Sequence, residues 1–159
     1  MKIFTLGVYN STEEQFFNKL SDNHIDTFCD IRQRRGVRGR EYAFSNSTHL
    51  QDKLAEMGIN YLHIKELSPT SEIREKQKSE DARTGELKRF RNKLGQVFAN
   101  EYCKQILSNF DFDNFVSELK KMNAQNVVLL CVEEKACACH RSLVANELQR
   151  KYNYEIIHL

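Results

Sequence analysis

A chain of 159 residues is the size of one domain, able to remove roughly 68–70% of its unfolded surface from water and to fold without staples. Its 40% hydrophobic and 29% charged residues exclude intrinsic disorder, and no apolar run approaches the ~18–20 residues of a membrane span. The formal charge of +2 excludes a uniformly basic shell. The opening residues turn acidic at Glu13 and Glu14, unlike a secretory signal or transit peptide. Five cysteines without such a signal point to reduced thiols rather than a disulfide framework. Together these features predict a soluble, cytoplasmic, single-domain protein that does not enter a membrane.

Residues 2–8 form a short apolar run that reads as a strand. Ser11 sits three residues before Glu14, a capping box that opens a helix carrying Phe16, Phe17 and Leu20. Residues 26–31 read as a second strand, which leads into the arginine segment 32–41. Gly36 and Gly39 make that segment a loop. Ser47 caps a helix with Leu50, Leu54 and Met57 as its buried stripe, and Gly58 follows its end. Residues 59–64 alternate as a third strand, with Ile59, Tyr61 and His63 on one side, and Pro69 closes that element. The mixed-charge region 71–93 is expected to be a mobile insertion, either a solvated helix or a partly ordered loop. From Glu86, the residues Leu87, Phe90, Leu94, Val97, Phe98, Tyr102 and Ile106 keep a helical period. A shorter helix fits Phe112, Phe115, Val116, Leu119 and Met122. Residues 127–132 are a buried strand, 140–151 a helix and 154–158 a closing strand.

Strands alternating with helices predict a single three-layer α/β domain, with a mainly parallel sheet of about five strands and helices on both faces. Right-handed crossovers bring every strand-to-helix turn to one edge. Ligands of such folds bind there, where the strand order switches.

Charge is concentrated. Residues 32–41 hold five Arg and one Glu, and residues 71–93 hold eight Lys/Arg against five Asp/Glu. Arginine suits bidentate phosphate contacts and glycine lets backbone approach an oxyanion, so Arg32, Arg35 and Arg38 are candidate anion ligands, with Asp30 on the strand side of Arg32. Tyr42 could stack on a base, whereas Phe44 is expected to pack against the domain. Gly7, Tyr9 and Asn10 end the first strand at the same edge, as His63 and Lys65 end the third.

The second concentration of chemistry is Cys131-Val-Glu133-Glu134-Lys-Ala-Cys137-Ala-Cys139-His140-Arg141-Ser142. Cys131 and Glu133 share a strand side. Cys139 to Ser142 fall at a helix start, where unpaired N–H groups and the dipole favour an anion or a thiolate. Three readings are open. Cys139 is a nucleophile whose pKa is lowered by the helix start and by Arg141, with Glu133 or His140 moving protons. Alternatively, Cys131, Cys137, Cys139 and His140 bind zinc, although their spacing matches no common finger and no metal ligand is assigned on it. In the third, Arg141, Ser142 and the helix N–H groups hold a phosphate. The plain structural alternative makes Cys131 and Cys139 small buried hydrophobes under a tight turn.

The segments TLGVYNSTEEQFFNKL, DTFCDIR, GINYLHIKEL and LLCVEEKACACHRSLVANEL resemble, in this order, the family known as domain of unknown function 488. The most specific part is Cys131, Glu133, Cys139, His140, Arg141 and Ser142. The stretches RGVRGREYAFSNSTHLQ and KELSPTSEIR are similar to a subgroup that carries an arginine-glycine loop. Two departures stand out: Ala136 lies where a proline is usual, and Cys137 is outside the family pattern, which weakens any metal site relying on it. The resemblance implies an α/β fold and a shared site, and no particular activity or cofactor. Because acid, base, thiol and guanidinium groups all map to one predicted edge, the expected function is an enzyme acting on a phosphate-bearing small molecule, such as a nucleotide, or on a nucleic-acid end. The alternatives are a non-catalytic nucleic-acid-binding module built on the arginine loop, and a regulatory subunit whose cysteines report redox state.

Overall fold

In the computed structural model, which describes residues 1–85 and 92–159, the period-two alternation of the strands sorts side chains onto two faces of one sheet. The strands are β1 (Lys2–Leu6), β2 (Thr27–Asp30), β3 (Asn60–His63), β4 (Asn126–Leu130) and β5 (Glu155–His158). Their order is β3-β2-β4-β1-β5, and every pairing is parallel. Phe4, Leu6, Phe28, Val128 and Leu130 face one layer, while Ile3, Cys29, Val127 and Leu129 face the other. The central strands are apolar on both sides because both sides are covered. The expected three-layer α/β domain is the one observed.

The first layer is formed by α1 (Glu13–Asp22) and α2 (Ser47–Glu56). Phe16, Phe17, Leu20, Leu50 and Leu54 fill it, as their spacing predicted, whereas Met57 is only half-buried at the end of α2. The cap of α1 is Thr12, one residue later than expected. Its side chain accepts from the N–H of Gln15, whose own side chain accepts from the Thr12 N–H. At α2 the cap position falls on Asn46, not Ser47, and Asn46 uses its Oδ1 to accept from the Val37 N–H at 2.8 Å. That bond ties the arginine loop to the start of α2.

The second layer holds α3 (Ser71–Thr84), α4 (Gln96–Tyr102), α5 (Phe112–Lys121) and α6 (His140–Tyr152). Of the region 71–93 expected as a mobile insertion, Ser71–Thr84 forms α3, a helix that is not solvated all round but carries Ile73, Gln77 and Asp81 on a buried side. Of the helix expected from Glu86, the described residues are helical from Gln96 onward. Leu87 and Phe90 lie outside the described residues, and α4 starts after Gly95, whose N–H donates to Gln77 Oε1 at 2.9 Å. Leu94 is buried ahead of the helix, Val97 is 53% exposed, and α4 continues into a π-helical turn, Cys103–Leu107. None of the described helices is long and apolar enough to cross a membrane.

The connections from β1 and β2 run through α1 and α2 on one face, and those from β3 and β4 through α3–α6 on the other. The carboxyl ends of β2, β4 and β1, which lie side by side, therefore send their loops apart. A crevice opens where they diverge.

Candidate functional site

A cavity of about 570 Å³ occupies that crevice. Tyr9 comes to it from the loop after β1, Arg32 and Arg38 from the loop after β2, Cys131 and Glu133 from the end of β4, and Cys139 and His140 from the start of α6. Seven of the eleven site residues expected from sequence thus meet at one place. The other four, Asp30, Arg35, Arg141 and Ser142, lie behind it or beside it.

Asp30 is fully buried and holds Arg32. Its Oδ1 accepts from Arg32 Nε at 2.8 Å and from the Arg32 backbone N–H at 3.1 Å. Its Oδ2 accepts from Arg32 Nη2 at 2.7 Å and from the Tyr61 hydroxyl at 2.9 Å. The Ser45 carbonyl takes a second bond from Nη2 at 3.0 Å. Such a forked pair fixes a guanidinium plane. Arg32 Nη1 is left buried without a partner in the structure, on a side chain that lines the cavity. Arg35 instead lies beside the Tyr61 hydroxyl. Tyr42 is 7% exposed and packs against the ring of Tyr9 at 5.3 Å, so the expected base-stacking surface is turned inward, as is Phe44.

Arg141 is oriented away from the expected anion role. It is 1% exposed, and its Nη1 donates to the Glu133 carbonyl while Nη2 donates to the Glu134 carbonyl at 2.7 Å. Gly7 completes the clamp, since a Cβ there would stand 2.2 Å from the Glu133 carbonyl oxygen. The close approach its lack of a side chain permits is to the chain's own backbone. Val8 and Tyr9 both donate to the Val132 carbonyl at 3.0 Å, and Asn10 Nδ2 donates to Glu134 Oε2. Ser142 turns back on its own helix, its Oγ donating to the Cys139 carbonyl at 2.9 Å.

Cys139 occupies the cap position of α6 and is 1% exposed. Sequence reasoning expected the helix start and Arg141 to lower its pKa. Burial instead pushes the thiol well up, and Cys131 and Glu133 beside it add to the rise. Arg141, committed to carbonyls, offers no counterweight. Cys131 Sγ lies 3.5 Å from Glu133 Oε2 and 3.6 Å from His140 Nδ1, and Cys139 Sγ lies 3.8 Å from the same nitrogen. The ring of Tyr102, a residue the sequence marked only as core, sits 5.3 Å from that of His140. Cys137 is exposed and donates to the Asn92 carbonyl, apart from this group. Among the described residues, Cys131, Cys139 and His140 form the one cluster able to hold a metal ion.

The sequence did not single out the wall contributed by α3. Arg74 and Lys78, four residues apart and hence on one helix side, line the cavity together with Arg34. Against the five cations Arg32, Arg34, Arg38, Arg74 and Lys78 stand Glu75, Asp81 and Glu133. The rim cations Arg34, Arg38 and Lys78 are exposed, while Cys131, Glu133, Cys139 and His140 are buried. The cavity therefore has a basic rim and a thiol, imidazole and carboxylate interior.

The family model described as "Domain of unknown function DUF488" matches residues 12–148, and the chain belongs to that family. No curated protein and no solved structure matches it.

Proposed function

We propose that this member of the DUF488 family, through the subgroup that carries the arginine-glycine loop, is an enzyme acting on a phosphate-bearing substrate, either a nucleotide or a nucleic-acid end. The observation that carries this reading is the meeting of basic and reactive groups in one cavity at the carboxyl edge of the sheet. Exposed guanidinium and ammonium groups at the rim suit a phosphate, which they would hold by charge-assisted bonds. Arg32 is held rigid by Asp30 and offers a buried N–H group that has no partner in the structure. Behind the rim, Glu133 and His140 supply a carboxylate and an imidazole for proton transfer. Cys139 serves as a nucleophile only after its proton is removed, because burial holds it as a thiol. The inward-facing Tyr42 removes the aromatic platform on which a strand-binding module would depend.

The test is calorimetric titration with inorganic pyrophosphate and nucleoside mono-, di- and triphosphates, followed by chromatographic detection of products. Arg38→Glu is expected to weaken anion binding at least about tenfold, a loss of about 1.4 kcal/mol. Its folding stability should change by no more than about 0.5 kcal/mol, as is usual for an exposed side chain. Glu133→Gln is expected to abolish turnover while leaving anion binding in place. Unaltered binding in Arg38→Glu, or binding with no product from any phosphate-bearing compound, would count against the reading.

A further inference from the structure

We infer that Cys131, Cys139 and His140 form a three-ligand site for zinc, with the fourth coordination position open to the cavity. A tetrahedral zinc ion with bonds of about 2.3 Å to sulfur and about 2.0–2.1 Å to nitrogen separates a thiolate from an imidazole nitrogen by about 3.6 Å, and two thiolates by about 3.8 Å. The observed separations from His140 Nδ1 are 3.6 Å to Cys131 Sγ and 3.8 Å to Cys139 Sγ. All three ligand atoms lie within 4.8 Å of one another. Both sulfur-to-nitrogen separations are thus within about 0.2 Å of those around a bound ion, and the two sulfurs need to move together by no more than about 1 Å.

The imidazole is oriented for the task. His140 Nε2 lies 3.4 Å from the Ile31 carbonyl, the backbone partner that fixes a ligating histidine's tautomer and leaves the other nitrogen's lone pair for the metal. The His140 ring is further set by Tyr102, whose hydroxyl is anchored on the Leu67 carbonyl at 2.5 Å. Binding releases one proton from each thiol to solvent, and two thiolates, one neutral imidazole and one dication make the ion with its ligands neutral, which limits the cost of burying them. Cys131, Cys139 and His140 are exposed by 4%, 1% and 6% respectively. Soft thiolates with one imidazole select zinc over calcium or magnesium.

All three side chains line the cavity, as does Glu133, whose carboxylate lies beside Cys131. Three protein ligands and an accessible fourth position are the arrangement of a catalytic rather than a structural zinc. Such an ion would hold water or a substrate oxygen. The site differs from the four-residue set that the sequence spacing brings to mind, because Cys137 is exposed and bonded elsewhere. It does not depend on the anion reading, since zinc alone can be measured. In the zinc-bound chain Cys139 and His140 are ligands, so proton transfer would rest with Glu133 and the attacking group would be the oxygen held at the open position.

The experiment uses the full chain, purified with reductant, stripped with a chelator and titrated with zinc and then with cobalt(II). One ion per chain is expected. The cobalt form should show the visible bands of tetrahedral coordination and a thiolate-to-cobalt charge-transfer band of two-sulfur intensity. Azide should shift the visible bands by entering the open position. Cys139→Ser and Cys131→Ser should each lower zinc affinity more than about 100-fold, beyond the loss typical of a supporting residue. Cys137→Ser should bind as the parent chain does. Absence of stoichiometric zinc, cobalt spectra without thiolate bands, or binding lost with Cys137 would overturn the site, and visible bands indifferent to azide would overturn its openness. The cobalt spectrum of the parent chain decides the matter even where a variant fails to fold.

Discussion

The two loops that close the cavity, after β2 and after β4, are each pinned by a buried arginine, and the two arginines face different partners. Arg32 is held by a carboxylate two residues earlier in the chain, so its charge is compensated and its fork is fixed at the cavity wall. Arg141 reaches back from α6 to two carbonyls of the β4 loop. The first arrangement orients a cation at the cavity wall, while the second uses a cation as a brace. What separates them is the partner's charge: a carboxylate can carry a buried guanidinium as a pair, whereas carbonyls hold it only by oriented dipoles.

The largest expected effect bears on the first pair. Asp30→Ala leaves Arg32 buried and uncompensated and also strips the Tyr61 hydroxyl of its acceptor. A loss of about 3–5 kcal/mol follows, the usual cost of breaking a buried pair from one side, measured as a shift in the urea midpoint. Arg141→Met removes the brace and leaves the Glu133 and Glu134 carbonyls without that donor. The expected cost is roughly 2–4 kcal/mol, and phosphate affinity should stay within about twofold once the protein is kept below its unfolding midpoint. A large loss of phosphate binding in folded Arg141→Met would erase the distinction between the two arginines. Gly7→Ala sharpens it from the other side. The new methyl would press on the Glu133 carbonyl, part of the backbone, so the loop must shift, at about 1–3 kcal/mol. That shift moves Glu133 and should lower turnover more than it lowers anion affinity.

These contrasts show what could be read from the chain itself. Strand and helix order was legible because alternation at residues such as Phe28 and Cys29, and the helical spacing of Phe16, Phe17 and Leu20, are direct records of burial. Convergence of the β2 and β4 loops followed from topology alone. Arg141 was not legible, because its motif placed it at a helix start and no pattern reveals two carbonyls from a neighbouring loop. The Cys139 thiol was misjudged for a related reason: helix position suggests an anion, whereas the depth of burial emerges only once the layers are packed. The cavity wall from α3 left a faint signal. Its buried positions are Ile73, Gln77 and Asp81, one apolar and two polar, and Gln77 Nε2 satisfies Asp81 Oδ1 at 2.7 Å. Such a helix has no hydrophobic stripe to detect. Only the four-residue spacing of Arg74 and Lys78 within a basic segment could have marked it.

The smallest effect tests how tightly the Asp30 pair is closed from its outer side. Tyr61 is partly buried, and burial first, then the Asp30 carboxylate, raise its pKa from 10.0 to about 12, partly opposed by Arg35. In the unfolded chain the phenol loses its proton near the lower value, and in the folded protein near the higher one. Between the two the folded state binds more protons, so stability falls as pH rises through that window. Below it the contribution is fully present. Tyr61→Phe removes one hydrogen bond to Asp30, at about 1 kcal/mol near neutral pH, and removes this alkaline slope as well. The measurement is the urea midpoint of both proteins at pH values spanning the window. Other tyrosines with raised values, such as Tyr102 and Tyr152, titrate alike in the two proteins and cancel in the difference. The gap between the two midpoints should narrow with rising pH, modestly because solvent screens a half-buried ring. A constant gap would mean that neither burial nor the Asp30 carboxylate holds the proton on Tyr61 more tightly in the folded protein than in the unfolded chain.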